Sequence, residues 1–132
     1  MKHEKRSNSS VDEYLEEMYR CELKEKASTT KGISRALRIS MPSVSEMLGK
    51  LERKGLVINS ARGEKRLTSK GRKAGERVYK KHETLKKLLL RVGLPEKDAT
   101  EEACRLEHDL SNKALVMLEG FLERCKGRCA VK

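Results

Sequence analysis

The stretch SMPSVSEMLGKLERKGLV, residues 40–57, carries a helix start, a helix and a stop in that order. Ser40 suits an N-cap, and Pro42 suits a first helical turn, where its missing N–H is not needed. Val44, Met47, Leu48 and Leu51 then recur at helical spacing, and Gly55 ends the run. Just upstream, Ile33, Ala36 and Leu37 mark a short helix ending near Arg38, so two short helices meet at a tight turn, a helix-turn-helix. Just downstream, Leu56 to Asn59 forms a short apolar strand, Ala61 to Glu64 a turn, and Lys65 to Leu67 a returning strand. The hairpin is a wing beside the helix-turn-helix.

Working outward, Val11, Tyr14, Leu15, Met18, Tyr19 and Leu23 share one helical face, and Ser10 with Glu13 has the form of a capping box, predicting a first helix over 10–26. Residues 1–8 are polar without periodicity and are expected to be a mobile arm. On the other side Thr68 caps a long helix with Ala74, Val78, Leu85, Leu88 and Leu89 among many cations, lasting to Gly93-Leu94-Pro95. Asp98 and Glu101 read as a second capping box, opening a helix through Ala103, Cys104, Leu106, Glu107 and His108. Ser111 caps a last helix with Ala114, Leu115, Met117, Leu118, Phe121 and Leu122, ended by Gly127 and followed by a 127–132 tail. The chain is therefore mainly α. A winged helix-turn-helix domain occupies 9–73, and an all-helical domain over 74–126 has too many apolar positions to satisfy alone, which predicts a homodimer.

Composition narrows the function. Of 132 residues, 39% are charged and only 3% aromatic, and Lys plus Arg outnumber Asp plus Glu by 31 to 20 for a net charge of +11. Such an excess calls for a polyanionic partner, and its clustering on a winged helix-turn-helix selects double-stranded operator DNA. The chain is too short for a large catalytic fold, and no enzyme activity or small-molecule substrate is expected. No apolar run reaches the ~20 residues that span a bilayer and MKHEKRSNSS lacks a signal peptide's apolar stretch, so the expected location is cytoplasmic with no membrane partner. Cys21, Cys104, Cys125 and Cys129 accordingly read as thiols, Cys21 as core or boundary filling and the pair Cys125 and Cys129 as incidental in preference to a redox pair or an extra metal site.

A recognition helix reads base edges with its N-terminal side chains while cations hold phosphates. Ser40, Pro42, Ser43 and Glu46 suit base reading, with Pro42 and the serines directed toward thymine methyls and Glu46 toward cytosine N4. Lys50, Arg53, Arg62, Lys65 and Arg66 suit phosphate binding. Ser10 and Ser45 complete the candidate DNA-contacting set. In the C-terminal half, Cys104, Glu107 and His108 stand at i, i+3 and i+4, where one helix turns them toward one point. Thiolate and imidazole favour iron, cobalt, nickel or zinc over calcium and magnesium, and the carboxylate admits iron or manganese.

Together SVDEYLEEMYR (10–20), SMPSVSEMLGKLERKGLV, RLTSKGRK (66–73) and EEACRLEH (101–108) resemble the diphtheria toxin repressor family of iron- and manganese-dependent regulators, over about residues 9–123. The resemblance implies a winged helix-turn-helix followed by a dimerisation and metal-binding domain, and metal-activated repression of metal-uptake or homeostasis genes. The chain looks like the short form, without the SH3-like domain that longer members append. The resemblance also adds Glu13, Glu16 and His82 to the metal ligands Cys104, Glu107 and His108. Ferrous iron is the expected metal and manganese the alternative, with cobalt, nickel or zinc substituting in vitro. In such a protein, metal orders the first helix against the C-terminal domain and sets the spacing of two recognition helices. This sequence mixes patterns: iron-responsive members carry Met where Glu13 stands, manganese-responsive members carry Asp there and a carboxylate at Cys104. Lys86 and Thr100 replace the carboxylate and His of an ancillary site, which is expected to be absent.

Three rival readings follow from the same residues. A winged-helix regulator that responds to oxidation or a small organic ligand would use Cys104 as a reactive thiol without metal. A small metalloenzyme would need a general base or nucleophile in a cleft, and no such motif accompanies the cluster. RNA or architectural DNA binding would rest on charge alone and would not distinguish operator from shuffled sequence.

Overall fold

A computed structural model describes residues 7–60 and 63–125, with side chains from Val11 onward. The elements in chain order are α1 (Ser7–Leu23), α2 (Thr30–Leu37), α3 (Met41–Arg53), β1 (Val57–Asn59), β2 (Lys65–Leu67), α4 (Ser69–Arg91), α5 (Glu96–Leu106), a 3-10 turn (Glu107–Asp109) and α6 (Asn112–Arg124). The chain forms two compact units that divide between Arg77 and Val78, inside α4. The sequence places its domain boundary near residue 73 of the same helix.

In the first unit one apolar cluster gathers Tyr14, Leu15 and Met18 of α1, Ile33 of α2, Val44, Leu48 and Leu51 of α3, and Leu56, Val57 and Leu67 of the wing. The spacing explains the participation: Val44, Leu48 and Leu51 fall on one helical face, and Val57 and Leu67 face each other across the antiparallel pair. Caps set the element limits. Thr29 Oγ1 accepts from Gly32 N at 3.0 Å to start α2. Arg38, at φ 59° and ψ 47°, ends it in a left-handed turn. Thr68 Oγ1 accepts from Gly71 N at 3.0 Å and donates to the Gly55 carbonyl at 2.7 Å, so one side chain both opens α4 and holds the loop before the wing. The wing gains a third edge where Lys65 N donates to the Ser28 carbonyl at 2.8 Å.

The start of α4 packs so closely that two positions require glycine. A Cβ on Gly71 would lie 2.1 Å from the Leu56 carbonyl oxygen, and one on Gly75 would lie 2.6 Å from that of Leu15. Both obstacles are backbone and cannot rotate away.

In the second unit Val78 and Leu85 of α4, Ala99 and Ala103 of α5, and Leu115 of α6 are buried. Ser111 Oγ accepts from Ala114 N at 3.0 Å, the cap expected of it. Among the described residues, no helix is long and apolar enough to cross a membrane.

Several limits differ from expectation. Helix α1 begins at Ser7, so Ser10 lies within it and is no N-cap, and Ser7 and Asn8 belong to the helix and not to an arm. The rest of that arm, residues 1–6, lies outside the described residues, as do Arg62, Cys129 and the 127–132 tail. Helix α5 opens at Glu96 behind Pro95 with no side-chain cap, which puts Asp98 in its first turn and removes the second capping box. There Glu96 and Asp98 complement the helix dipole instead. Helix α6 ends at Arg124, before Gly127. Cys125 just beyond it is buried, and its carbonyl accepts from Arg91 Nη1 at 3.2 Å, so this thiol sits in packed structure.

Candidate metal centre and nucleic-acid interface

With Val44, Leu48 and Leu51 turned inward, α3 leaves Pro42, Ser43, Ser45, Glu46, Lys50 and Arg53 exposed. This outward face carries all the expected base- and phosphate-contacting residues of the helix together. Ser40 stands at the N-cap, accepting from Ser43 N at 3.3 Å and donating to Ser43 Oγ at 3.0 Å. A hydroxyl has one proton, so Ser40 has spent its donor within the first turn while Ser43 keeps its own. Lys50 and Arg53 occupy the last turn, where cations also complement the helix dipole. On the wing, Lys65 Nζ donates to Asn59 Oδ1 at 2.6 Å, and Arg66 projects outward with Glu64 at 4.0 Å. Ser10, also expected to touch DNA, is placed on α1 by its backbone alone.

One exposed residue of this helix is not singled out by the sequence pattern. Met41, the first residue of α3, is 47% exposed. In sequence it is one more member of the apolar stripe, three, seven and ten residues before Val44, Leu48 and Leu51; only its place at the very start of the helix, ahead of Pro42, separates it.

The second unit assembles a different chemistry. His82 follows Val78 by one turn and precedes Leu85 on the inward face of α4, which buries its imidazole to 2% exposure. Cys104 stands in the last turn of α5. Here the helix tightens: α5 stops at Leu106 and Glu107 and His108 lie in the 3-10 turn, so the trio does not share one continuous α-helix as the spacing suggested. The tighter turn brings Glu107 inward to 2% exposure. His82 Nδ1 lies 2.9 Å from Glu107 Oε1 and 3.8 Å from Cys104 Sγ. His108 Nε2 lies 3.4 Å from Glu107 Oε2.

His82, Cys104 and Glu107 form the one group of three or more His, Cys, Asp or Glu donors among the described residues whose ligand atoms converge within 4.8 Å. Metal–nitrogen and metal–oxygen bonds of about 2.0–2.2 Å and metal–sulfur bonds of about 2.3 Å separate neighbouring ligand atoms by roughly 3–4 Å, so the observed spacing fits one ion. Nitrogen, oxygen and sulfur together suit a first-row transition metal. Burial supports the fit, because a carboxylate at 2% exposure needs positive charge beside it. Cys104 is exposed and gives the otherwise buried group a face toward solvent.

Of the expected ligands, His82, Cys104 and Glu107 meet, and His108 adjoins Glu107. Glu13 and Glu16 belong to the first unit: Glu13 is exposed, and Glu16 is buried with Arg20 Nη2 at 2.6 Å from its Oε2. They are not members of the converging group. Lys86 and Thr100 both bind Glu96, the lysine to its carboxylate at 3.5 Å and the threonine to its carbonyl at 2.9 Å. Cys21 is partly buried, at the boundary and not in the core, and burial pushes its thiol up, with Ser28 opposing the effect and Glu17 adding to it. Burial likewise raises the Tyr14 phenol, helped by the Glu13 carboxylate.

Comparison with known proteins assigns each unit a family. Residues 8–63 match the iron dependent repressor N-terminal DNA binding domain, and residues 68–129 match the iron dependent repressor metal binding and dimerisation domain. An uncharacterized HTH-type transcriptional regulator of Methanocaldococcus jannaschii is 36% identical over 124 residues, 92% of this chain and 98% of the relative. The iron-dependent repressor IdeR of Mycobacterium leprae is 34% identical over 103 residues, 77% of this chain and 45% of the relative. Among solved structures, the manganese regulator SloR superposes with a TM-score of 0.74 at 29% identity, over 86% of this chain and 53% of SloR. The chain thus spans about half the length of these last two proteins.

Proposed function

The chain belongs to the iron-dependent repressor family, a family of metal-dependent transcriptional repressors, and from that membership we propose that it binds operator DNA as a homodimer when a divalent transition metal occupies the second unit. The observation that carries this reading is the convergence of His82, Cys104 and Glu107 on a short chain that also holds a winged helix-turn-helix. His82, Cys104, Glu107 and the adjoining His108 would hold the ion, ferrous iron first and manganese second. When bound, the metal supplies a divalent charge that can be gained and lost with its supply, as a regulator requires. Thiolate and imidazole draw the preference toward iron, and availability in the cell admits manganese. Cells keep such thiols reduced in the cytoplasm, where the operator also lies, and the regulated genes would be those of metal uptake and homeostasis.

The chain's own residues do the rest. His82 and Glu107 are held rigid by burial, so their donors need little reordering on binding, while the exposed Cys104 is the entry side. For the dimer, α6 exposes Val116 at 63%, Met117 at 65% and Phe121 at 44%, an apolar face of the kind a second copy covers. On the first unit, the outward face of α3 enters the major groove and the wing cations follow the backbone. No catalysis is proposed.

A gel-shift titration of operator DNA with ferrous, manganous, cobalt, nickel and zinc ions under reducing conditions tests the reading. Activation by ferrous iron or manganese, reversed by chelator and lost in Cys104→Ala, is the expected result. Operator affinity indifferent to every ion would overturn it in favour of a regulator that answers to oxidation or an organic ligand.

A further inference from the structure

We infer that Met41 is a specificity residue, reading a thymine methyl in the major groove at the end of the site entered first by α3; the inference rests on the operator binding proposed above. Three observations carry it. Met41 is the first residue of the recognition helix and 47% exposed, although the same helix buries Val44, Leu48 and Leu51. Among the described residues of the first unit, the other exposed large apolar side chains are Leu23 and Ile58, neither on α3. Finally, the polar group nearest to it in sequence is committed: Ser40 donates its hydroxyl proton to Ser43 Oγ and accepts from Ser43 N.

The geometry of a helix turns these facts into a direction. Cα–Cβ bonds tilt toward the helix N-terminus, so an exposed side chain in the first position points past the end of the helix. That end approaches the base edges in a helix-turn-helix complex. The major groove floor offers one apolar group, the C5-methyl of thymine; every other distinguishing feature is a donor or acceptor. An unbranched, polarizable thioether chain can adjust its rotamers to such a methyl without a preformed pocket. Scattered exposed methionines on protein surfaces need no explanation, but this one stands between a spent serine and a proline, where the first turn has apolar surface and few donors to offer. Met41 and Pro42 then prefer methyl groups, while Glu46 in the next turn supplies the acceptor.

The test works on an operator of unknown sequence. Sites are selected from a random duplex pool with the full chain and manganese under reducing conditions, and each thymine of the selected duplex is then replaced singly by uracil, which removes only the methyl. Wild type should lose about fourfold in affinity at one thymine per half-site, the size expected for one buried methyl-sized group. Met41→Ala should lose a similar factor on the thymine duplex and show no further loss with uracil there, and Met41→Leu should keep most of the discrimination. The thymine-to-uracil ratio is independent of how much protein is folded, so a weakened variant remains informative. If Met41→Ala discriminates as wild type does at every thymine, or wild type is indifferent to uracil throughout, the inference is wrong. A pool that enriches no sequence overturns the operator-binding reading itself and the inference with it.

Discussion

Helix α3 and the His82 cluster solve opposite problems with the same backbone geometry. On α3 the working side chains face out, and the helix needs only an inward stripe of Val44, Leu48 and Leu51 to hold them. At the cluster the working side chains face in, and His82 and Glu107 reach 2% exposure only because α4, α5 and a 3-10 turn converge. An outward face can lose one residue and keep the others in place. An inward cluster shares its burial, so each member depends on the rest.

The contrast is sharpest at Glu107. Glu107→Gln keeps the shape and removes the charge between His82 and His108. The expected outcome is a loss of metal affinity on the order of 100-fold, the upper end of what even supporting residues of metal sites contribute. Isothermal titration with manganese measures it, and near-wild-type affinity would show that the ion is held elsewhere. The same variant should bind non-operator DNA at low salt as wild type does, because the outward face is untouched.

Gly71→Ala asks the next question, whether the reading unit tolerates any intrusion of its own. The new methyl would meet the Leu56 carbonyl at 2.1 Å, so backbone must move. Overpacking of this kind costs about 1–3 kcal/mol, which lowers Tm by roughly 5–10 °C in a chain of this size. Thermal unfolding followed by circular dichroism reads the shift; an unchanged Tm would mean that α4 does not lie so close to the wing. Serine at position 71 should behave like alanine, since the obstacle meets the Cβ and not a hydroxyl.

These two sites also show what a sequence can disclose. The helix-turn-helix was legible because its signals are local: Ser40 and Pro42 open α3, the apolar spacing of Val44, Leu48 and Leu51 orients it, and Gly55 stops it. The trio Cys104, Glu107 and His108 was legible as a motif, yet the spacing implied one helix through His108, and the change to 3-10 geometry after Leu106 left no mark in composition. His82 was reachable by resemblance alone, although a polar residue on the stripe of Val78 and Leu85 is a hint that something polar meets it. The glycines of α4 were invisible for a different reason. Gly71 and Gly75 are explained by backbone approaching from Leu56 and Leu15, and nothing within α4 announces that approach. The start of α1 at Ser7 and the absence of a cap at Asp98 show the limit of capping signatures, which mark a helix that is permitted to start there and not one that must.

Arg53→Ala is the mildest way to probe the outward face. Arg53 is exposed in the last turn of α3, so its removal opens no cavity and forfeits only a favourable dipole contact of roughly 0.3–1 kcal/mol. If it neutralises a phosphate, operator affinity should fall several-fold at low salt, evenly across sequences, and the slope of log affinity against log salt should shrink by about one. A Lys at the same position should restore most of the slope, because a phosphate contact needs the charge more than the guanidinium fork. Fluorescence anisotropy over a salt series with saturating manganese decides it. An unchanged slope would place Arg53 off the DNA, and a loss confined to one base position would make it a base reader, moving the boundary between base reading and phosphate binding on α3 toward its C-terminal end.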